Sequence, residues 1–154
     1  MRPPNRHHTG SALVEFALSL TVFFMAMIGV IEFARFMLVV NTAVEASRLA
    51  SRLASVCDTG AVQQALIRAK VQYFVEASGQ IVVGTRSDWL VLTYSPANCT
   101  PSNCTLVEAS LSNLQAQLLI PVSSITLPIP AYRSAQVREA MRNVIAGEVN
   151  SVCS

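Results

Sequence analysis

Glu15 is the residue in this chain whose surroundings suit it least. It stands at the head of an apolar run that carries no charged residue from Phe16 to Ile31. A carboxylate at the bilayer centre costs roughly 2.5–3.5 kcal/mol on insertion scales, and less near an interface, so Glu15 calls for a cationic partner. Few other residues have comparable chemical potential. His7 and His8 are the only histidines and precede the run, and Lys70 is the only lysine. Histidine is the side chain most used as a general base near neutral pH. Beyond residue 8 neither a Cys–His nor a Ser–His–Asp arrangement can be drawn. Asp58, Glu76, Asp88 and Glu108 show no spacing of paired carboxylates and read as caps, turn residues or solvated surface. We expect a non-enzyme that needs no cofactor.

Four cysteines, Cys57, Cys99, Cys104 and Cys153, all follow the apolar run, and four allow three full pairings. Cys99 and Cys104 bracket Thr100-Pro101-Ser102-Asn103, a turn-forming stretch that could bring them together and leave Cys57 to pin Cys153. A four-thiolate zinc site is a rival, since Cys-x4-Cys falls within zinc-ligand spacing. A single bridge beside two buried thiols is another. Asn98-Cys99-Thr100 and Asn103-Cys104-Thr105 match the glycosylation acceptor pattern, but each contains one of these cysteines and reads as chance overlap.

The element that must position Glu15 is a helix. About 20 mainly apolar residues cross a bilayer, and a span from near Ser11 to the Glu32/Arg35 pair is long enough with some tilt. Glu32 and Arg35, three apart, share a face and can pair at the far interface. Arg2 and Arg6 precede the span, so the positive-inside rule predicts a cytoplasmic N-terminus and an extracytoplasmic body. There, bridged cysteines are coherent. A cleaved secretory signal fits poorly, because the apolar character continues to Val40 with no small-residue site after it. Phe23, Phe24, Met25 and Met27 read as lipid-facing or packed on a neighbouring helix.

Gly10, Glu15 and Phe16 together resemble the start of a type IV prepilin of the Tad (tight adherence) class, which has a short basic leader, a cleavage site after Gly and a Glu-aromatic pair at mature positions five and six. Residues 11–54, reading SALVEFALSL through IEFARF to NTAVEASRLA, look like the TadE-like minor pilins, or pseudopilins. The resemblance implies cleavage between Gly10 and Ser11 by a prepilin peptidase of the aspartic type, with Glu15 and Phe16 serving recognition and assembly. It implies other Tad pilins and the inner-membrane assembly platform as partners. It places the protein as a single-pass subunit of the bacterial inner membrane, at the initiation complex or tip of a pilus. An uncleaved signal-anchored binding or adhesion module is the alternative.

The expected fold class is α+β, with a leader at 1–10, a long helix at 11–56 and a pilin-like antiparallel β-domain at 57–154. Asn41, Glu45, Arg48 and Arg52 alternate with Ala43, Ala46, Ala50, Leu53 and Ala54 as on an amphipathic helix, so the membrane helix should continue to about Val56. Asp58 and Thr59 offer N-caps for a second helix at 60–77, in which Val62, Leu66, Ala69 and Tyr73 repeat at helical spacing. Residues 81–83, a turn at 84–88 and residues 89–94 read as a hairpin. A break at 95–103 precedes a weaker strand at 105–110. Leu114, Ala116, Leu118, Ile120 and Val122 then alternate with Gln115 and Gln117 as a half-buried strand. Pro121, Pro128 and Pro130 restrict their stretch to edges and turns, residues 132–139 read as a last strand or as the start of a helix running to Ala146, with the TadE resemblance favouring the strand, and Cys153 suggests a tail tied back onto the domain.

Hydrophobic residues make up 52% of the 154 and charged ones only 13%, against the usual quarter, a depletion to which the apolar helix contributes. The formal net charge of +2 comes from the leader, since the eleven basic residues less Arg2 and Arg6 leave nine against nine acidic. No basic surface for nucleic acid follows from that balance.

Overall fold

The computed structural model describes residues 9–83, 88–120 and 123–154. Arg2, Arg6, His7, His8, most of the expected turn at 84–88, Pro121 and Val122 lie outside the described residues. The elements are α1 (Thr9–Val56), α2 (Ala61–Glu76) and strands β1 (Ile81–Val83), β2 (Leu90–Ser95), β3 (Leu106–Leu111), β4 (Leu114–Ile120), β5 (Ser123–Pro128), β6 (Tyr132–Val137), β7 (Val144–Ile145) and β8 (Glu148–Val149). This is the expected α+β arrangement. The chain divides into two compact units, Met1–Arg35 and Phe36–Ser154.

In the second unit, the last turns of α1 are core rather than stalk. Ala43, Ala46, Ala50 and Ala54 are fully buried, with Ser47, Ser51 and Ser55 beside them, while Asn41, Glu45, Arg48 and Arg52 face solvent. Small side chains let a strand approach closely. Ser51 Oγ lies 3.1 Å from Ser134 Oγ on β6. Each serine also satisfies itself by donating to the carbonyl three residues back, Val44, Arg48 and Arg52 respectively, which removes the cost of burying an unpaired hydroxyl. Ala50→Leu should overpack this contact and destabilise the domain by about 1–3 kcal/mol, whereas Arg52→Ala on the exposed face should stay within about 0.5 kcal/mol. Urea unfolding of the two variants checks the contrast.

The C-terminal carbonyls of α1, orphaned at any helix end, are met by the returning tail. Glu139 N donates to Ser55 O at 3.0 Å and Arg142 N to Val56 O at 2.9 Å. Asn143 Oδ1 accepts from Asp58 N at 3.2 Å. Because Asp58 is held in this way, the second helix starts later than its side chain suggests: the N-cap of α2 is Gly60, with no side-chain cap bond. Thr59 Oγ1 turns instead towards Asp58 Oδ1. At the other end, Gly79 takes φ +67° and its N–H donates to Glu76 O, a left-handed stop that suits glycine.

Helix α2 turns an unexpected face inward. Ile67, Val71 and Val75 are buried, while Val62 is 73% and Tyr73 78% exposed, with Leu66 also outside. Both sides of the helix are apolar, so periodicity alone could not choose between them.

The expected hairpin of residues 81–83 with 89–94 does not form. β1 pairs with β4, Ile81 opposite Ala116 and Val83 opposite Leu114, and β2 pairs along its whole length with β3, Leu90 opposite Leu111 and Ser95 opposite Leu106. A three-residue β1 could satisfy only half of the six-residue β2, whereas β3 satisfies all of it. β1 therefore runs antiparallel to β4 and β2 to β3, and the chain passes from one sheet to the other at Ser112 and Asn113, between β3 and β4. The resulting sheets have orders β1-β4-β5 and β2-β3-β6, and β7 and β8 form a separate pair. β5, ending in Pro128, is an edge strand as that proline requires. Residues 132–137 form a strand rather than the start of a helix, ending two residues short of the expected 139, and it is not the last, because β7 and β8 follow it. Leu114 and Ala116 are buried between exposed Gln115 and Gln117.

Candidate functional site

In the first unit, Gly10, Ser11, Glu15 and Phe16 lie in the opening turns of α1, and all four are exposed. A Cβ built on Gly10 meets nothing within 4 Å. Glycine in a helix is destabilising by roughly 0.5–1 kcal/mol relative to alanine, so packing within the described residues gives no reason for glycine here. Glu15 sits among exposed Leu13, Val14, Phe16 and Leu18. Among the described residues it has no ion pair. The helix is long and apolar enough to cross a membrane, and its most apolar stretch, with a mean hydropathy of 2.2, is wholly unburied. Phe23 and Phe24 meet edge to face, with centroids 5.7 Å apart.

Further along the same unit, Arg35 Nη1 donates to Glu32 Oε1 at 3.3 Å, with Glu32 only 16% exposed. The pair read from the three-residue spacing is thus within reach. The helix brings it no nearer to Glu15 than sequence does, so the carboxylate and the ion pair are separate features of one rod.

The cysteines of the second unit form two disulfides. Cys57 joins Cys153 across a sequence separation of 96, with Cα atoms 5.5 Å apart, and Cys99 joins Cys104 with Cα atoms 5.0 Å apart. Neither the zinc site nor the pair of free thiols is present. The Cys99–Cys104 loop is also braced from within, since Asn103 Oδ1 accepts from Thr100 N at 2.6 Å and from Thr100 Oγ1 at 2.9 Å.

Each carboxylate considered for acid–base work meets a neighbour of its own. Glu108 pairs with Arg133 at 3.5 Å, Glu76 accepts from Gln72 at 2.7 Å and Asp88 accepts from Asn113 at 3.4 Å. Asp58 lies close enough to Tyr94 to add to the effect of burial, which together push that phenol up to about 12. Tyr94 therefore stays protonated at neutral pH. Sequence reasoning missed one arrangement, a cleft holding Arg138 and Arg142. The only signal for it was two arginines four residues apart, which the structure places between β6 and β7.

No curated protein and no solved structure matches the chain. Residues 10–52 do match a family, and the matched stretch runs from Gly10 through Glu15 and the apolar run into the alanine face of α1. That family is described as TadE-like protein, and it is to this family that the chain is similar over residues 10–52.

Proposed function

We propose that this protein is a minor pilin or pseudopilin of a Tad-type (type IVb) pilus, cut after Gly10 and acting in filament initiation, assembly or at the tip. The observation that carries the reading is the TadE-like match over a helix whose one early carboxylate, Glu15, is exposed on an apolar surface. An unpartnered Gly10 fits the same reading, because a peptidase that must approach the backbone closely gains from the missing Cβ. Cleavage by a membrane-embedded prepilin peptidase leaves an α-amine on Ser11, and such amines titrate near 8, so it is largely cationic at neutral pH. Glu15 is four residues on, one helical turn away, and can be neutralised by its own amine or by that of an adjacent subunit. The domain after the helix then lies outside the cytoplasm, where disulfides persist, and offers surfaces to other pilins. No residue is assigned a catalytic role.

N-terminal sequencing of protein from the membrane fraction tests processing. The expected first residue is Ser11. A start at Met1 would favour the uncleaved signal-anchored binding module, and a start beyond Val40 would mean an ordinary secreted domain. Replacing Gly10 with leucine should block cleavage and leave the intact precursor in the membrane, so that the two forms separate on a gel.

A further inference from the structure

The cleft missed from sequence has a volume of about 520 Å³ and is lined by Pro101 and Ser102 of the disulfide loop together with Arg138, Glu139, Arg142 and Ile145. Its parts are fixed before anything binds. The Cys99–Cys104 bridge closes the loop that carries Pro101 and Ser102. Arg138 N donates to Thr105 O at 3.1 Å, and Glu139 N and Arg142 N are held by the last carbonyls of α1. Between them Met141 is buried and takes φ +45°, a left-handed conformation uncommon for a bulky residue. It anchors the segment beneath Arg142, which is exposed.

The charges of the cleft are not cancelled. Arg138 Nη1 donates to the carbonyls of Pro101 and Ser102, which are neutral acceptors. Among the described residues Arg142 has no ion pair, whereas Arg35, Arg48 and Arg133 each have a carboxylate. Glu139 lines the cleft but pairs with neither arginine. Two guanidinium groups against one carboxylate leave a single surplus positive charge beside the exposed apolar side chain of Ile145.

We propose that this cleft docks a carboxylate-bearing segment of another polypeptide, with an Asp or Glu side chain on Arg142 and an adjacent apolar side chain on Ile145 and Pro101. A guanidinium matches a carboxylate in a planar, two-bond geometry. Glu139 repels a doubly charged phosphate more than a singly charged carboxylate, and inorganic phosphate makes no use of an apolar wall. Such docking is independent of the pilus reading, because every residue of the cleft belongs to the second unit.

Fluorescence anisotropy tests it, with the full-length protein in zwitterionic nanodiscs and a labelled, end-blocked five-residue peptide alternating leucine and glutamate. The peptide should bind, and its glutamine counterpart should not. Arg142→Gln should weaken binding about tenfold or more, as losing a charge-assisted contact implies. Arg133→Gln, which removes an arginine on β6 that does not line the cleft, should leave affinity unchanged. The proposal is overturned by equal binding to the Arg142→Gln protein, by an equal loss in the Arg133→Gln protein, or by displacement of the peptide with inorganic phosphate at matching concentration. Circular dichroism of each variant confirms that it is folded, and both substitutions lie at exposed positions.

Discussion

Glu15→Ala protein should be cut after Gly10 and inserted in the membrane as efficiently as the wild type, or more so, and yet fail to co-purify with other pilins. The two halves of that expectation have opposite electrostatic origins. Insertion of a lone helix is opposed by a carboxylate, so its removal relieves up to roughly 2.5–3.5 kcal/mol, less towards the interface. Assembly works the other way. If the Ser11 amine and Glu15 neutralise one another between packed helices, deleting one partner strands a buried charge at a cost of about 3–5 kcal/mol. That corresponds to roughly two to three and a half orders of magnitude in association. A simple anchor has no such dependence, and its outer domain would keep working. Crosslinking and co-purification with partner pilins, with cleavage followed in parallel, separate the two. Equal recovery of partners from wild type and variant would remove Glu15 from any assembly role. A variant that is no longer cleaved would instead make Glu15 a peptidase determinant, a distinction the parallel assay makes visible.

How much of this was legible in the sequence follows from the range of the interactions concerned. The end of α1 at Val56 and its buried alanine face were readable because helical periodicity is local, and Ala43, Ala46, Ala50 and Ala54 alternate with charged residues that must face water. The strand at residues 132–137 was not, since its residues suited a strand or the start of a helix and only the family resemblance favoured the strand. The partners of strands were not. Residues 81–83 and 89–94 are near neighbours in sequence, but β3 and β4 offer them better-matched lengths in two different sheets. A cue confined to turn residues cannot see that competition.

For α2 the failure was one of degeneracy. Val62, Leu66, Ala69 and Tyr73 form as good a stripe as Ile67, Val71 and Val75, and only the packing of the finished domain decides which goes inside. The site shows the same division. Gly10, Glu15, and the Glu32/Arg35 pair stand out because a charge or a glycine is conspicuous in an apolar helix. Arg138 and Arg142 do not, since their meaning comes from carbonyls of Pro101 and Ser102 more than thirty residues away and from the absence of a carboxylate partner among the described residues.

Loss of the Cys57–Cys153 bridge should destabilise the unit of residues 36–154 more than any other single change considered. The two cysteines are 96 residues apart. In the chain-entropy account a loop of that size contributes about 4–5 kcal/mol, against about 2 kcal/mol for a five-residue separation such as Cys99–Cys104. Domains are commonly stable by only about 5–15 kcal/mol, so the long bridge is a large share of the whole. Its position adds to the effect. The tail it secures supplies the donors to Ser55 O and Val56 O, the Asn143 acceptor for Asp58 N and the Val152 carbonyl that accepts from Lys70 at 2.8 Å. A tail free to leave takes these bonds with it and uncovers the end of α1. Cys153→Ser should therefore lower the melting temperature by roughly 10–20 °C, Cys57→Ser by a similar amount, and the double variant by little more than either, because one bond is lost in every case. Cys104→Ser should cost about half as much. Thermal unfolding of the detergent-solubilised protein followed by near-ultraviolet circular dichroism measures all four. A larger loss from Cys104→Ser than from Cys153→Ser would show that stability is held by the short loop instead, and that the tail's hydrogen bonds to α1 persist without a covalent tie.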